Sequence, residues 1–265
     1  MVLVEAVAKT DVGKKRKLNE DSFLVDKSIN LYAVADGMGG HKAGEVASRI
    51  VVDTIKEKMR AYINGVMTPN YYDETLVSKE SALLLSCFEE ANSAVYSESQ
   101  NSSDCKGMGS TLSAVFFTEN SFVSANVGDS PVLWIHKGEI CRVYVPHTYL
   151  SEKAKQQSIG NPNAIFDNSL KSHILTRSVG VKADVEPSFF EVPCYKNDYI
   201  VIASDGLTDK IQVSEIRDIV MSKRSEKACD ILIDMANERG GEDNITVLII
   251  KVKKVKRKWG FWGLF

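Results

Sequence analysis

The sequence predicts an α+β protein in which antiparallel sheets pack face to face with helices outside them. Three observations predict it. Strand-like runs come in blocks separated by two pairs of helical stretches, with no regular strand–helix–strand alternation. Between residues 111 and 145 the connections, such as Lys137-Gly138-Glu139, are too short for a parallel crossover. The two long helical stretches each carry one apolar stripe, which suits covering one face of a sheet.

The elements follow in order. Val2, Val4, Ala6 and Ala8 alternate with Leu3, Glu5 and Val7 as a strand. Residues 10–17 are polar and basic and end in Arg16-Lys17. Glu20 and Asp21 then precede the short run Phe23-Leu24-Val25, where a solvated turn is the ordinary outcome. Residues 31–35 form the next strand, which ends on Asp36. Residues 44–59 place Val46, Ala47, Ile50, Val51, Thr54, Ile55 and Met59 on one helical face. Residues 61–72, with Gly65 and Pro69, form a loop. Residues 73–99 read as a long helix with Leu76, Leu83, Leu84, Cys87, Ala91, Ala94 and Val95 inward.

After a polar break at 101–107 come four short strands, 111–117, 121–127, 131–136 and 140–145. Residues 147–157 read as a helix, and 158–172 as a polar loop lying over a site. Strands at 189–192 and 199–203, helices at 213–221 and 226–239, and a strand at 245–252 complete the pattern. No internal repeat and no long linker divides the chain.

Composition narrows the function. The 265 residues are 44% hydrophobic, enough for one domain with a large core. The net charge of −2 gives no global basic field for nucleic acid. Lys251, Lys253, Lys254, Lys256, Arg257 and Lys258 concentrate positive charge, leaving about −8 for the rest. Cys87, Cys105, Cys141, Cys194 and Cys229 are scattered and odd in number, which argues for free thiols in a reducing compartment and against structural zinc. The first residues lack the pattern of a signal peptide, and no apolar run has the length of a membrane span.

The chemistry lies where strands stop. Val34-Ala35-Asp36-Gly37 ends an apolar run on a carboxylate, followed by glycines and His41. Taken alone, a hairpin turn and a metal-directed carboxylate fit that stretch equally. The same grammar recurs in Ala203-Ser204-Asp205-Gly206, in Gly241-Glu242-Asp243-Asn244 before a strand, and more weakly in Val127-Gly128-Asp129. Aspartates gathered at one sheet rim repel each other unless a divalent cation lies between them. Oxygen donors without a cysteine or histidine cluster favour magnesium or manganese. The reading that follows is a dinuclear hydrolase whose two ions share a water and lower its pKa, with Arg16 able to grip a phosphate bidentately. Arg16 by itself reads as part of a solvated basic loop.

Six ordered motifs carry a resemblance. They are Arg16 with Asn19-Glu20-Asp21-Ser22, Asp36-Gly37-Met38-Gly39-Gly40-His41, Gly107-Met108-Gly109-Ser110-Thr111, Gly128-Asp129-Ser130, Ser204-Asp205-Gly206-Leu207-Thr208-Asp209, and Gly241-Glu242-Asp243-Asn244-Ile245-Thr246-Val247. Together they resemble the metal-dependent serine/threonine protein phosphatases of type 2C, the short bacterial members in particular, over nearly the whole chain. The resemblance implies a four-layer α-β-β-α sandwich and a phosphatase domain over 1–253, followed by a basic, aromatic tail at 254–265. It implies two Mn2+ or Mg2+ ions and a weaker third.

By motif match, Asp36, Asp205 and Asp243 are metal ligands, with the Gly37 carbonyl. Glu20 and Asp21 form the acidic pair near the second ion, and Asp129 and Asp209 hold the third. Arg16 binds phosphate, and a proton reaches the leaving seryl or threonyl oxygen from His41 or from metal-bound water. The implied reaction is in-line attack on phosphorus by the hydroxide shared between the ions, reversing the work of a Ser/Thr kinase on phosphorylated proteins.

Three departures stand out: Pro131 replaces a common arginine, Pro146 replaces a frequent aspartate, and 158–172 falls in the family's variable flap. None touches the core aspartates. A cytoplasmic monomer is expected. The tail, with Trp259, Phe261 and Trp262 beside lysines, suits a membrane surface or a protein groove. Two rival readings are a silent phosphoprotein-binding module, which the intact aspartates disfavour, and an aspartyl-phosphate phosphatase, which would want an aspartate where Val34 stands.

Overall fold

The structure is a computed structural model. It describes residues 2–39, 43–70, 77–160 and 174–255, with the backbone alone for 155–160. Gly40 and His41, the first turn of the helix expected from residue 73, most of the flap loop and the tail from residue 256 lie outside the described residues.

Three strands open the chain: β1 (Leu3–Asp11), β2 (Asp21–Asp26) and β3 (Leu31–Met38). The helices α1 (Ala43–Ile63) and α2 (Lys79–Asn101) follow. The central block is β4 (Gly109–Ser110), β5 (Leu112–Phe117), β6 (Ser121–Val127), β7 (Val132–His136) and β8 (Glu139–Arg142). Then come α3 (Tyr149–Gly160), β9 (Ser188–Pro193), β10 (Tyr199–Ala203), α4 (Asp205–Thr208), α5 (Val213–Ser222), α6 (Ser225–Glu238) and β11 (Ile245–Lys254).

Two antiparallel sheets result. One runs β1-β11-β10-β7-β8, the other β2-β3-β5-β6-β9 with β4 added to β3. Alternate residues of each strand feed different layers. Ile200 and Ile202 of β10 meet Tyr32, Val34, Val115 and Phe122 between the sheets, whereas Val201 and Ala203 face Ile216, Val220 and Leu232 of α5 and α6. Ala33 and Ala35 of β3 face Ala47, Val51, Leu84 and Phe88 of α1 and α2. Both faces of both sheets are therefore covered, so the central strands are continuous apolar runs rather than alternating ones. This is the expected α-β-β-α sandwich.

Several boundaries differ from the sequence expectation, three of them with consequences for neighbouring segments. The second long helix starts at Lys79, because the Ser78 hydroxyl accepts from Ser81 N at 3.1 Å and caps it. The helix expected from His147 starts at Tyr149, because the Thr148 side chain accepts from Ser151 N while the His147 backbone is bonded to Gly128. The strand expected to reach Val145 stops at Arg142. In α1 the stripe is rotated: Val52 is buried, while Val46 and Ile50 are half-buried.

Candidate metal centre

The acidic residues meet because strand ends meet. β3 reaches the rim at Asp36, directly opposite Asp21 of β2 in the ladder. β10 ends at Ala203 beside Val247, so Asp205 and Asp243 leave neighbouring strands at the same rim. β6 ends at Val127, just before Asp129.

One asparagine ties the rim together. Asn244 donates to the carbonyls of Val12 and Leu18, both at 2.9 Å, and its Oδ1 accepts from Glu20 N at 2.8 Å. The loop carrying Arg16 and Glu20 is thereby fastened to the start of β11. Lys14 N and Lys15 N donate to Gly241 O at 2.8 and 3.1 Å and add to this hold.

Three of the acids have supports of their own. Asp36 is fixed through its backbone: its N donates to Thr111 Oγ1 at 2.9 Å, and its carbonyl accepts from Thr111 N and Ser110 Oγ. Asp21 is buried, and its Oδ2 accepts from Ser204 Oγ at 2.8 Å and Thr246 Oγ1 at 2.6 Å. Arg16 Nη2 donates to Asp243 Oδ2 at 2.8 Å. Gly37 has no room for a side chain, since a Cβ would lie 2.0 Å from Gly44 O and 2.7 Å from Glu20 O. Only backbone can face the site there.

Electrostatics record the crowding. Burial, with Asp21, Asp205, Asp243 and Asp129 nearby, pushes the Asp36 carboxyl well above its ordinary value. Burial and the neighbouring acids push Asp205 up to about 7, and burial lifts Asp21 to about 6. Burial also raises Glu20, against the pull of Arg16. Among the described residues, the buried oxygens Glu20 Oε1, Asp21 Oδ1 and Asp205 Oδ1 have no hydrogen-bond partner. Unpartnered carboxylate oxygens of this kind are costly unless something cationic completes them.

The acids surround a cavity of about 490 Å³. Glu20, Asp36, Asp129, Asp205 and Asp243 line it with Arg16 and Gly37, and Leu175, Ser178 and Val181 form another part of its wall. Among the described residues, no three acidic, histidine or cysteine side chains already close on one ion-sized point. The acids stand around a space, and Arg16 occupies Asp243. The donor set is nonetheless oxygen alone, with three orphaned oxygens beside it, which fits hard divalent cations.

The structure brings Arg16, Glu20, Asp36, Gly37, Asp129, Asp205 and Asp243 to one cavity, with Asp21 buried at the same rim. Asp209 does not line the cavity but stands close enough for its charge to act on Asp205: it is exposed and caps α4, with its N donating to Asp205 O at 2.8 Å. His41 lies outside the described residues. Sequence reasoning assigned no role to Asn244, Ser204, Thr246, Ser110 or Thr111. The available signal was a polar or hydroxyl residue beside each aspartate inside an otherwise apolar run. His147, next to the departing Pro146, is buried and accepts from Gly128 N through Nδ1 at 3.2 Å, and burial holds its pKa down to about 4.

Known proteins share this arrangement of chain. The family described as "Protein phosphatase 2C" matches residues 13–244. A serine/threonine phosphatase stp of Listeria welshimeri is 35% identical over 253 residues, covering 94% of this chain and 96% of that protein. The serine/threonine phosphatase PstP/Ppp of Mycobacterium tuberculosis superposes with a TM-score of 0.80 at 26% identity, covering 96% of this chain and 100% of that one. A PstP catalytic domain solved in complex with two manganese ions has the same TM-score, identity and coverage.

Proposed function

The chain belongs to the protein phosphatase 2C family, and from that premise we propose that it hydrolyses phosphoserine and phosphothreonine in proteins at a centre of two manganese or magnesium ions. The observation that carries the reading is the cavity itself: five acids, three orphaned buried oxygens in or beside them, and one arginine on its wall. In this proposal Asp36, Asp205, Asp243 and the Gly37 carbonyl hold the ions. Glu20 and Asp21 support them through water, and Asp129 and Asp209 serve a weaker third site. Bound there, the ions would supply Lewis acidity and an acidified water as nucleophile.

The chain's own groups supply the rest. Arg16 presents a planar fork to the phosphoryl oxygens and orients the ester for in-line attack. Its bond to Asp243 holds the guanidinium at the cavity edge. His41 is the proposed proton donor to the leaving oxygen. Residues 1–253 act as the catalytic domain. The tail from 254 contacts a membrane or protein surface, which deletion of 259–265 and lipid sedimentation test. Among the described residues no helix is long and apolar enough to cross a membrane. Five free cysteines favour a reducing, cytoplasmic setting, with a Ser/Thr kinase as the opposing partner.

The decisive experiment is phosphate release from a phosphothreonine peptide with manganese or with chelator, on wild type and Asp205→Ala. Manganese-dependent release, and a loss of more than about a hundredfold in the variant, are expected. Peptide binding without release would leave a binding module instead.

A further inference from the structure

We infer that Asn92, on the buried face of α2, is a positioning residue that sets the wall of the acidic cavity over which the substrate chain runs. The inference rests on the proposed function, because it takes the cavity to receive a phosphoester.

Asn92 is 1% exposed. Its Nδ2 donates to Lys182 O at 3.0 Å and to Ala183 O at 2.8 Å, and its Oδ1 accepts from Gly180 N at 2.7 Å. All three partners are backbone groups of one loop, and outside the ladder of a sheet such groups need another way to be satisfied. A side-chain amide offers two donors and an acceptor at once, which no aliphatic or hydroxyl side chain of similar size can do. One helical turn on, Val95 packs on Gly180, where φ is +88° and a Cβ would come within 2.1 Å of Val95 Cγ1. Two residues of one rigid helix therefore hold the loop from below.

The other side of the loop faces the chemistry. Val179 exchanges two backbone hydrogen bonds with Ser110, at 3.0 and 2.8 Å, and Ser110 Oγ donates to Asp36 O at 3.0 Å. Val181, 48% exposed, lines the cavity together with Ser178. A second hollow of about 370 Å³ shares Leu175, Ser178 and Val181 with the acidic cavity and continues past Arg177 and Lys182. A phosphate seated among the acids would send its flanking residues over this loop into that hollow. A small phosphate ester would not reach it.

The test uses this difference in size. Asn92→Asp keeps the acceptor for Gly180 N, removes both donors and sets a carboxylate against two carbonyls. With saturating manganese, kcat and KM are measured for a phosphothreonine peptide and for p-nitrophenyl phosphate. The peptide KM should rise about tenfold, as expected for losing about 1.4 kcal/mol of binding. For the small ester, kcat/KM should fall by less than about threefold. An equal fall for both substrates, or an unchanged peptide KM, overturns the inference.

Should that variant fail to fold, Val181→Ser probes the same wall from its exposed side. A peptide-selective rise in KM supports the inference, and an unchanged peptide KM overturns it. A wild-type protein that releases phosphate from neither substrate overturns the proposed function, and the inference with it.

Discussion

Arg16 Nη2 donates to Asp243 Oδ2 at 2.8 Å, closing an ion pair across 227 residues of sequence. The pair is part exposed, so screening keeps its worth to folding small. Its interest lies in competition: the guanidinium holds a carboxylate that a divalent cation would also claim. Arg16→Ala should leave manganese affinity equal or tighter while lowering kcat/KM on a phosphothreonine peptide by roughly 10²–10³. Calorimetric manganese titration beside steady-state kinetics separates the two effects. Weaker manganese binding would mean that Arg16 helps build the metal site instead of serving the phosphate.

A pH dependence follows from the crowded acids. Asp205 at about 7, and Asp36 well above its ordinary value, bind protons in the folded chain that the unfolded chain has released. Stability contributed by that protonation is lost as pH rises through those values. His147, held down to about 4, acts in the opposite sense, but only below its ordinary 6.5. Between pH 6.5 and 8 the acids decide the sign. In chelator, Tm should fall by about 3 °C over that interval, and saturating manganese should abolish the fall. Asp205→Asn should flatten the slope. A chelated Tm that climbs with pH in this interval would contradict the crowding.

Asp21 gives a prediction about hydroxyls. Ser204 Oγ and Thr246 Oγ1 both donate to its Oδ2, and both bonds favour the ionised form. The double variant Ser204→Ala with Thr246→Val should raise the Asp21 pKa further. Manganese affinity at pH 7 should weaken by about 10–100-fold, the usual cost of losing such supporting groups. Titration at pH 7 and pH 8.5 checks the cause, because the deficit should shrink at the higher pH.

Gly37 tests close packing. Alanine there would drive a methyl into two backbone carbonyls, of Gly44 and Glu20, and neither is the free end of a side chain. Gly37→Ala should cost roughly 3 kcal/mol of stability and most of the activity, measured by urea unfolding and phosphate release. A stable, active variant would show that the turn can open.

Much of this was readable one segment at a time. An aspartate beside glycine at the edge of an apolar run is a local but ambiguous signal, and it was the recurrence of that pattern at Asp36, Asp205 and Asp243 that singled these residues out. The sandwich followed from the order of elements, since short connections and one-sided helices leave few ways to cover two sheets. The partnerships were not local. Asn244 acts on Val12, Leu18 and Glu20, more than 200 residues away, and nothing beside it in sequence announces that. The rotated stripe of α1 depends on how the helix lies on β3 and β2, which periodicity does not fix. Asp209 sits in a motif like the other acids, yet the turn after α4 leaves it exposed.

β11 lies between β1 and β10, bonded to both, although it is made after every other described strand. A ribosome therefore releases a chain whose five-stranded sheet keeps a gap until residues 245–254 emerge. Until then β1 and β10 offer open edges to other nascent chains. Asp243 and Asn244 arrive only just ahead of that strand, so the cavity lacks one of its acids, and the loop of Arg16 and Glu20 its tie to β11, until the sheet can close.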